Sequence, residues 1–282
     1  VGTSGTLVGS AFPISTDDGE QSVQGVAFNG SNFLVVWRDD GDQGLYGRLV
    51  STSGSLVGSR LTLGERSNSM AAAVASDGQD FLLVWQRGSL PDGGDPHDTV
   101  GRIVYADGSL DAVFTISEIS SPAYDPVSVA YNGSHYLVAW NHDTGAGYPD
   151  PTLWDVLGRC VSTNGTVLGS VLTLASGDGD QIVLPCGLAS DGDGFLLTWT
   201  SGAELADANA EDVHARCFDA DGVPQNDAIR IASEAIGCGV SYGAERYLCV
   251  LNDNFTTFGE VGGDVWGVFL DPAPVITNQP ET

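Results

Sequence analysis

The sequence predicts an all-β chain, a five-bladed β-propeller of four-stranded antiparallel blades whose ring is closed by the N-terminal strand in the last blade. Three observations predict it. A short aromatic-led strand recurs five times: Phe33 to Trp37, Phe81 to Trp85, Tyr136 to Trp140, Phe195 to Trp199, and a worn copy, Tyr247 to Leu251. Its last positions lie 48, 55, 59 and 52 residues apart. Each copy follows an apolar strand and a tight turn, VAFNG, VASDG, VAYNG, LASDG and VSYGA. Asn-Gly and Asp-Gly between alternating apolar runs mark hairpins, because both residues accept positive φ. No segment carries a helical period.

The remaining strands follow in order. After each aromatic strand comes a loop of variable length, then a third strand: YGRLV, VGRIV, LGRCV, HARCF and WGVFL. A fourth follows another glycine turn, as GSRLTLG, AVFTISE, GSVLTLA and DAIRIAS. The fifth copy has no fourth strand of its own. Residues 4–15, SGTLVGSAFPIS, match SGSLVGSRLTLG at 53–64 and NGTVLGSVLTLA at 164–175. The blades are therefore 17–64, 65–117, 118–175, 176–233, and 234–271 completed by 1–16. Closure removes the sheet edges of an open array. Along the second strand Phe33, Val35 and Trp37 share one face, and Leu34 and Val36 the other. Both faces are apolar, as blades packed between neighbours require. Trp37, Trp85, Trp140 and Trp199 are read as wedges between blades.

These repeats resemble those of secreted bacterial and archaeal β-propellers, whose blades read roughly VA-aromatic-NG-x-x-YLVVW-D, then YGRxV. The resemblance spans residues 1–271 and implies an extracellular or cell-surface module. The tail, PAPVITNQPET at 272–282, resembles the lead-in to an immunoglobulin-like domain and implies a linker to a further domain.

Composition narrows the partners. The 282 residues are 42% hydrophobic, enough for a core. There are 37 acidic residues against ten arginines and no lysine, a net charge of −27. That balance argues against nucleic acid and anionic lipid, which need a basic surface. No run of 18 apolar residues is present, so no membrane insertion is expected. The chain begins at Val1 rather than Met, which reads as a processed product or an excised piece.

Five cysteines carry an internal covariation. Cys160 and Cys217 share one third-strand position, and Cys186 and Cys238 one first-strand position. At every junction the third strand of one blade and the first of the next are both Cys or both not. Disulfides Cys160–Cys186 and Cys217–Cys238 are expected, each contributing about 3 kcal/mol and implying an oxidising compartment. Cys249 is expected to stay free and buried.

Arg48, Arg102, Arg159 and Arg216 recur at one position, and Asp98, Asp155 and Asp212 precede three of them by four residues. In a strand, i and i+4 share a face, so a structural arginine–carboxylate or arginine–aromatic ladder is expected, ahead of an anion-binding ring. Asp178, Asp180, Asp191 and Asp193 sit in Asp-rich turns that offer oxygen ligands for calcium. None has the full twelve-residue calcium loop, and plain Asx turns fit them better. Asn29, Asn132, Asn164 and Asn254 head glycosylation sequons. Tyr148 and Trp154, in the loop after the third blade's tryptophan strand, offer one platform for a glycan.

The four histidines show no ligand spacing, and no Gly-x-Ser-x-Gly elbow or phosphate loop appears. No catalytic residue is nominated, and no cofactor other than calcium. The expected function is a non-enzymatic extracellular structural or adhesive module: one domain of a large surface protein, or a subunit that assembles with itself into a fibre or sheath by strand addition. Its partners would be copies of itself or other surface proteins and glycans. A glycan-binding lectin is the alternative, although unequal loops argue against five identical sugar sites. A glycosidase or lyase is the second alternative, and it would need opposed carboxylates at the channel mouth.

Overall fold

The computed structural model describes residues 9–64, 71–87, 98–118, 126–144, 154–177, 179–202, 212–233, 235–253 and 265–272. Five antiparallel sheets form a five-bladed propeller. Blade 1 is β1 (Gln21–Phe28), β2 (Asn32–Asp39), β3 (Leu45–Ser51) and β4 (Leu56–Gly64). Blade 2 is β5 (Ala72–Ser76), β6 (Phe81–Arg87), β7 (Asp98–Val104) and β8 (Phe114–Ser117). Blade 3 is β9 (Val127–Tyr131), β10 (His135–Asp143), β11 (Trp154–Ser162) and β12 (Val167–Ala175). In blade 4 the inner strand is broken into β13 (Asp180–Ile182) and β14 (Leu188–Ser190), followed by β15 (Phe195–Gly202), β16 (Asp212–Phe218) and β17 (Ile229–Ser233). Blade 5 contributes β18 (Ala235–Gly243), β19 (Arg246–Asp253) and β20 (Val265–Leu270).

The hairpin turns pin the blades together. Asn29 Oδ1 accepts the backbone N–H of Ser31 and Asn32, closing its own turn, while Gly30 takes φ +89°. Asn29 Nδ2 then donates 2.7 Å to Gln79 O in the next blade's turn. Asn132 repeats this, donating to Ala220 O of blade 4. Both amides are therefore buried and engaged, which corrects the expectation that Asn29 and Asn132 could carry glycans. Asn164 is exposed on the β11–β12 turn, and Asn254 lies outside the described residues.

The repeated tryptophans Trp37, Trp85, Trp140 and Trp199 are all at most 4% exposed, and Trp85, Trp140 and Trp199 belong to apolar clusters between blades. Trp85 lies against Gly64 at the end of blade 1, where an added Cβ would come within 3.2 Å of its ring. Apolar clusters fill the junctions of blades 1–2, 2–3, 3–4 and 4–5.

The Gly-Arg pair of the third strand also has a packing cause. A Cβ at Gly47, Gly101 or Gly158 would sit 2.5–2.8 Å from the side-chain tip of Leu63, Phe114 or Leu174, so in blades 1 to 3 these side chains pack down onto glycine, while blade 4 has Ala215 at that position. The arginine beside it reaches back to the preceding blade. Arg102 Nη1 donates to Leu63 O at 2.8 Å, and Arg159 Nη1 to Ile116 O at 2.9 Å. Arg216 Nε donates to Asn226 O within its own blade. These partners are backbone carbonyls, not the carboxylate or aromatic ladder expected.

Among the described residues blade 5 has three strands, and residues 9–16 form no strand although they lie along blade 1. Leu61, Phe114 and Leu172 each lie over a turn glycine of the next blade, Gly108, Gly165 and Gly222. Phe12 lies over Gly54 in the same way, 3.2 Å from the position a Cβ would take. This seam is less buried than the other junctions: Val23 on β1 is 74% exposed and Phe269 on β20 is 66% exposed.

The disulfide Cys160–Cys186 is not made; both residues are thiols. Cys160 is buried and directs Sγ to Asp221 O of blade 4, 3.8 Å away. Cys186 lies in the break between β13 and β14, at φ +71°, exposed, and its carbonyl accepts from Val240 of blade 5. One faces blade 4's outer turn and the other belongs to an inner segment turned toward blade 5. Cys217 is a buried thiol in β16, and the side chain of Cys238 lies outside the described residues. Cys249 is wholly buried in β19.

Candidate functional site

In a propeller blade the second strand ends, and the first and third begin, at the same rim. The turns at the opposite end repeat, so side chains that break the repeat at this rim are the ones packing does not explain. The start of the third strand carries an aspartate in blades 2, 3 and 4. Asp98 pairs with Arg87 across the β6–β7 ladder at 3.1 Å, and Asp212 pairs with Arg230 at 3.0 Å. Asp155 has no arginine. Its cross-strand neighbour is His142 on β10. Burial pushes the Asp155 carboxyl above the usual aspartate range, and the nearby His142 opposes this only in part. His142 Nδ1 is shielded from solvent and makes no hydrogen bond.

The neighbouring blade edge is tightly held. Asn141, just before His142, donates to Val183 O at 3.1 Å and accepts from Val183 N at 2.8 Å. The Trp154 backbone N–H donates to Asp180 Oδ1 at 3.2 Å, which fixes the start of β11 one residue before Asp155. Trp199 Nε1 donates 2.8 Å to Gln181 Oε1. His214 stacks on Trp199 with ring centres 5.5 Å apart, and burial pushes its pKa down. Together these contacts hold Asp155 and His142 on a rigid edge. They place a carboxyl whose pKa is raised by burial beside an imidazole, the elements of acid–base catalysis.

The site residues expected from the sequence are otherwise dispersed. Trp154 is buried at 9% and does not offer an open platform; Tyr148 lies outside the described residues. Asp191 Oδ1 accepts from the backbones of Asp193 and Gly194, an Asx turn. Asp180 is buried and engaged with Trp154, and Asp178 lies outside the described residues. Among the described residues no three acidic, His or Cys side chains gather as a metal site. Asp155 stood in the sequence as a partner of Arg159, and His142 was passed over. Their pairing needs the β10–β11 register, which a long intervening loop conceals.

No family model matches the chain, and no curated protein does. Solved structures match in fold. One is a DUF4623 family protein from Bacteroides eggerthii, 15% identical with TM-score 0.47, matched over 87% of this chain and 54% of its own. Puromycin hydrolase is 13% identical with TM-score 0.51, over 85% of this chain and 35% of its own. The hemagglutinin-neuraminidase of parainfluenza virus 5, in complex with the ligand DANA, is 8% identical with TM-score 0.50, over 83% and 73%. The chain thus spans about half and about a third of the first two. At these identities the likeness is one of fold. It corrects the expectation of a non-enzymatic structural or adhesive module, since the propellers matched include enzymes.

Proposed function

We propose that the protein is a hydrolase of the propeller type that cleaves a glycosidic bond at the rim of blade 3. Asp155 protonates the departing oxygen. The imidazole of half-buried His142 accepts a proton from the attacking water, so the proton lost by the carboxyl and the one gained by the imidazole balance. The carrying observation is that Asp155, alone among three equivalent aspartates, has no arginine partner and lies across the ladder from a histidine. Asp98 faces Arg87, and Asp212 faces Ser201 and pairs with Arg230 of the fourth strand. Burial that raises a carboxyl's pKa is one way a fold prepares a proton donor. The hemagglutinin-neuraminidase that shares the fold lends support, as a propeller whose name states a glycan-directed activity. The net charge of −27 favours a neutral glycan over a polyanionic one.

The test is release of reducing ends from a panel of neutral polysaccharides. The wild type is expected to release sugar from at least one, and Asp155→Asn to be slower by about a hundredfold or more. No release from any member, or full activity in Asp155→Asn, overturns the reading.

A further inference from the structure

The four repeated arginines do not end alike. Arg102, Arg159 and Arg216 all donate to backbone carbonyls. Five more arginines pair with aspartates: Arg38, Arg60, Arg87, Arg230 and Arg246. Arg48 makes no hydrogen bond or ion pair, and its Nε is shielded from solvent. Among the described residues it is the one arginine left without a partner, in a chain with a large excess of carboxylates.

Arg48 lines a cavity of about 230 Å³ between the N-terminal segment and blade 1. Ile14 and Ser15 form one wall, Trp37 and Leu56 another, and Arg60 and Asp17 stand at the side. Arg60 is bound to Asp17 and lies over the Tyr46 ring at 4.2 Å. Two guanidiniums and one carboxylate leave one uncompensated positive charge on the lining. The Trp37 indole N–H, 3% exposed, is a second unbonded donor on the same lining. Trp85 and Trp140 also leave their indoles unbonded, so the indole alone carries nothing. The guanidinium is the departure from the repeat.

We propose that this cavity binds a small monocarboxylate, received by Arg48. Nε and one terminal nitrogen form a planar fork that matches the two oxygens of a carboxylate. Trp37 and Leu56 give the organic body of the ligand an apolar wall, and the single net charge suits a monoanion. At physiological salt the acidic remainder of the surface is screened beyond about 8 Å, so local charge decides. The site lies on blade 1, apart from the Asp155 rim of blade 3, and does not depend on the activity proposed there.

The test follows the Trp37 indole N–H in ¹H–¹⁵N spectra, assigned with Trp37→Phe, during titration with sodium acetate and sodium glucuronate. Sodium chloride at equal ionic strength and sodium sulfate serve as controls. A saturable shift with the carboxylates alone is expected, weakened at least about tenfold in Arg48→Gln. Equal shifts with chloride, a response to sulfate only, or an unchanged response in Arg48→Gln overturn the proposal. Thermal melts without added ligand guard against misfolding: Arg102→Gln should lower Tm and Arg48→Gln should not. If Arg48→Gln lowers Tm as much, Arg48 ties the N-terminal segment to the blade and the proposal falls.

Discussion

The two ends of the blades differ in kind. At the hairpin end Asn29, Asp77, Asn132 and Asp191 all do one thing: each Oδ1 accepts two backbone N–H groups of its own turn. Blade 5 turns instead through Ala244 and Glu245, both at positive φ, and still closes the hairpin. At the rim, equivalent aspartates are treated unequally: Asp98 and Asp212 are ion-paired to arginines, and Asp155 is not and lies across the ladder from His142. Where the same residue meets the same need in every blade, packing is the cause. Where one blade departs while its neighbours conform, packing has no claim on the residue, and chemistry is the better place to look.

That contrast can be broken by substitution. The largest effect is expected at the wedges. Trp85→Ala should cost about 3–5 kcal/mol in chemical denaturation, because it empties a fully enclosed site. Trp266→Ala on β20, 55% exposed, should cost far less. Equal losses would mean that the seam between blades 5 and 1 is packed as tightly as the rest. Next comes the hairpin end: Asn132→Ala removes two turn bonds and the tie to Ala220 O, and should cost about 1–3 kcal/mol without altering catalysis.

A smaller effect is expected from acid. Burial holds the His214 pKa below its unfolded value of about 6.5, so the neutral ring is favoured by folding. Its contribution to stability is complete above about pH 6.5 and is lost as pH falls through the folded value. His214→Phe should flatten the stability–pH curve over that window, measured by denaturant midpoints at pH 7.5 and below. Thiol labelling reports local differences without changing stability. Iodoacetamide should modify exposed Cys186 readily and leave Cys160 untouched in the native protein, since burial raises the Cys160 thiol to about 11. Protection of Cys186 would point back to the Cys160–Cys186 bridge.

Much of the fold was legible because a propeller writes its packing rules several times. The Asn-Gly turns, the enclosed tryptophans and the Gly-Arg third strand each recur at a spacing that no other architecture explains as simply. Contacts between blades were less legible. The four-residue step from Asp155 to Arg159 suggested a ladder on one face, but the arginines reach across to carbonyls of a neighbouring strand, a direction that spacing within one strand does not contain. The cysteine covariation is real in the sequence. Its expected bridge was missed because the inner strand of blade 4 breaks at residues 183–187 and presents Cys186 away from blade 3. His142 and Asp155 were invisible as a pair, since their meeting depends on the closing register of a hairpin with a long loop.

The most direct measurement sets the two ends against each other: Asp155→Asn beside Asn132→Ala, each scored for Tm and for sugar release on whichever polysaccharide the wild type cleaves. Asp155→Asn is expected to keep its Tm and lose about a hundredfold or more in rate, while Asn132→Ala loses stability and keeps its rate. An Asp155→Asn protein that is as active as the wild type, or whose lost activity merely follows lost stability, would contradict a catalytic rim on blade 3.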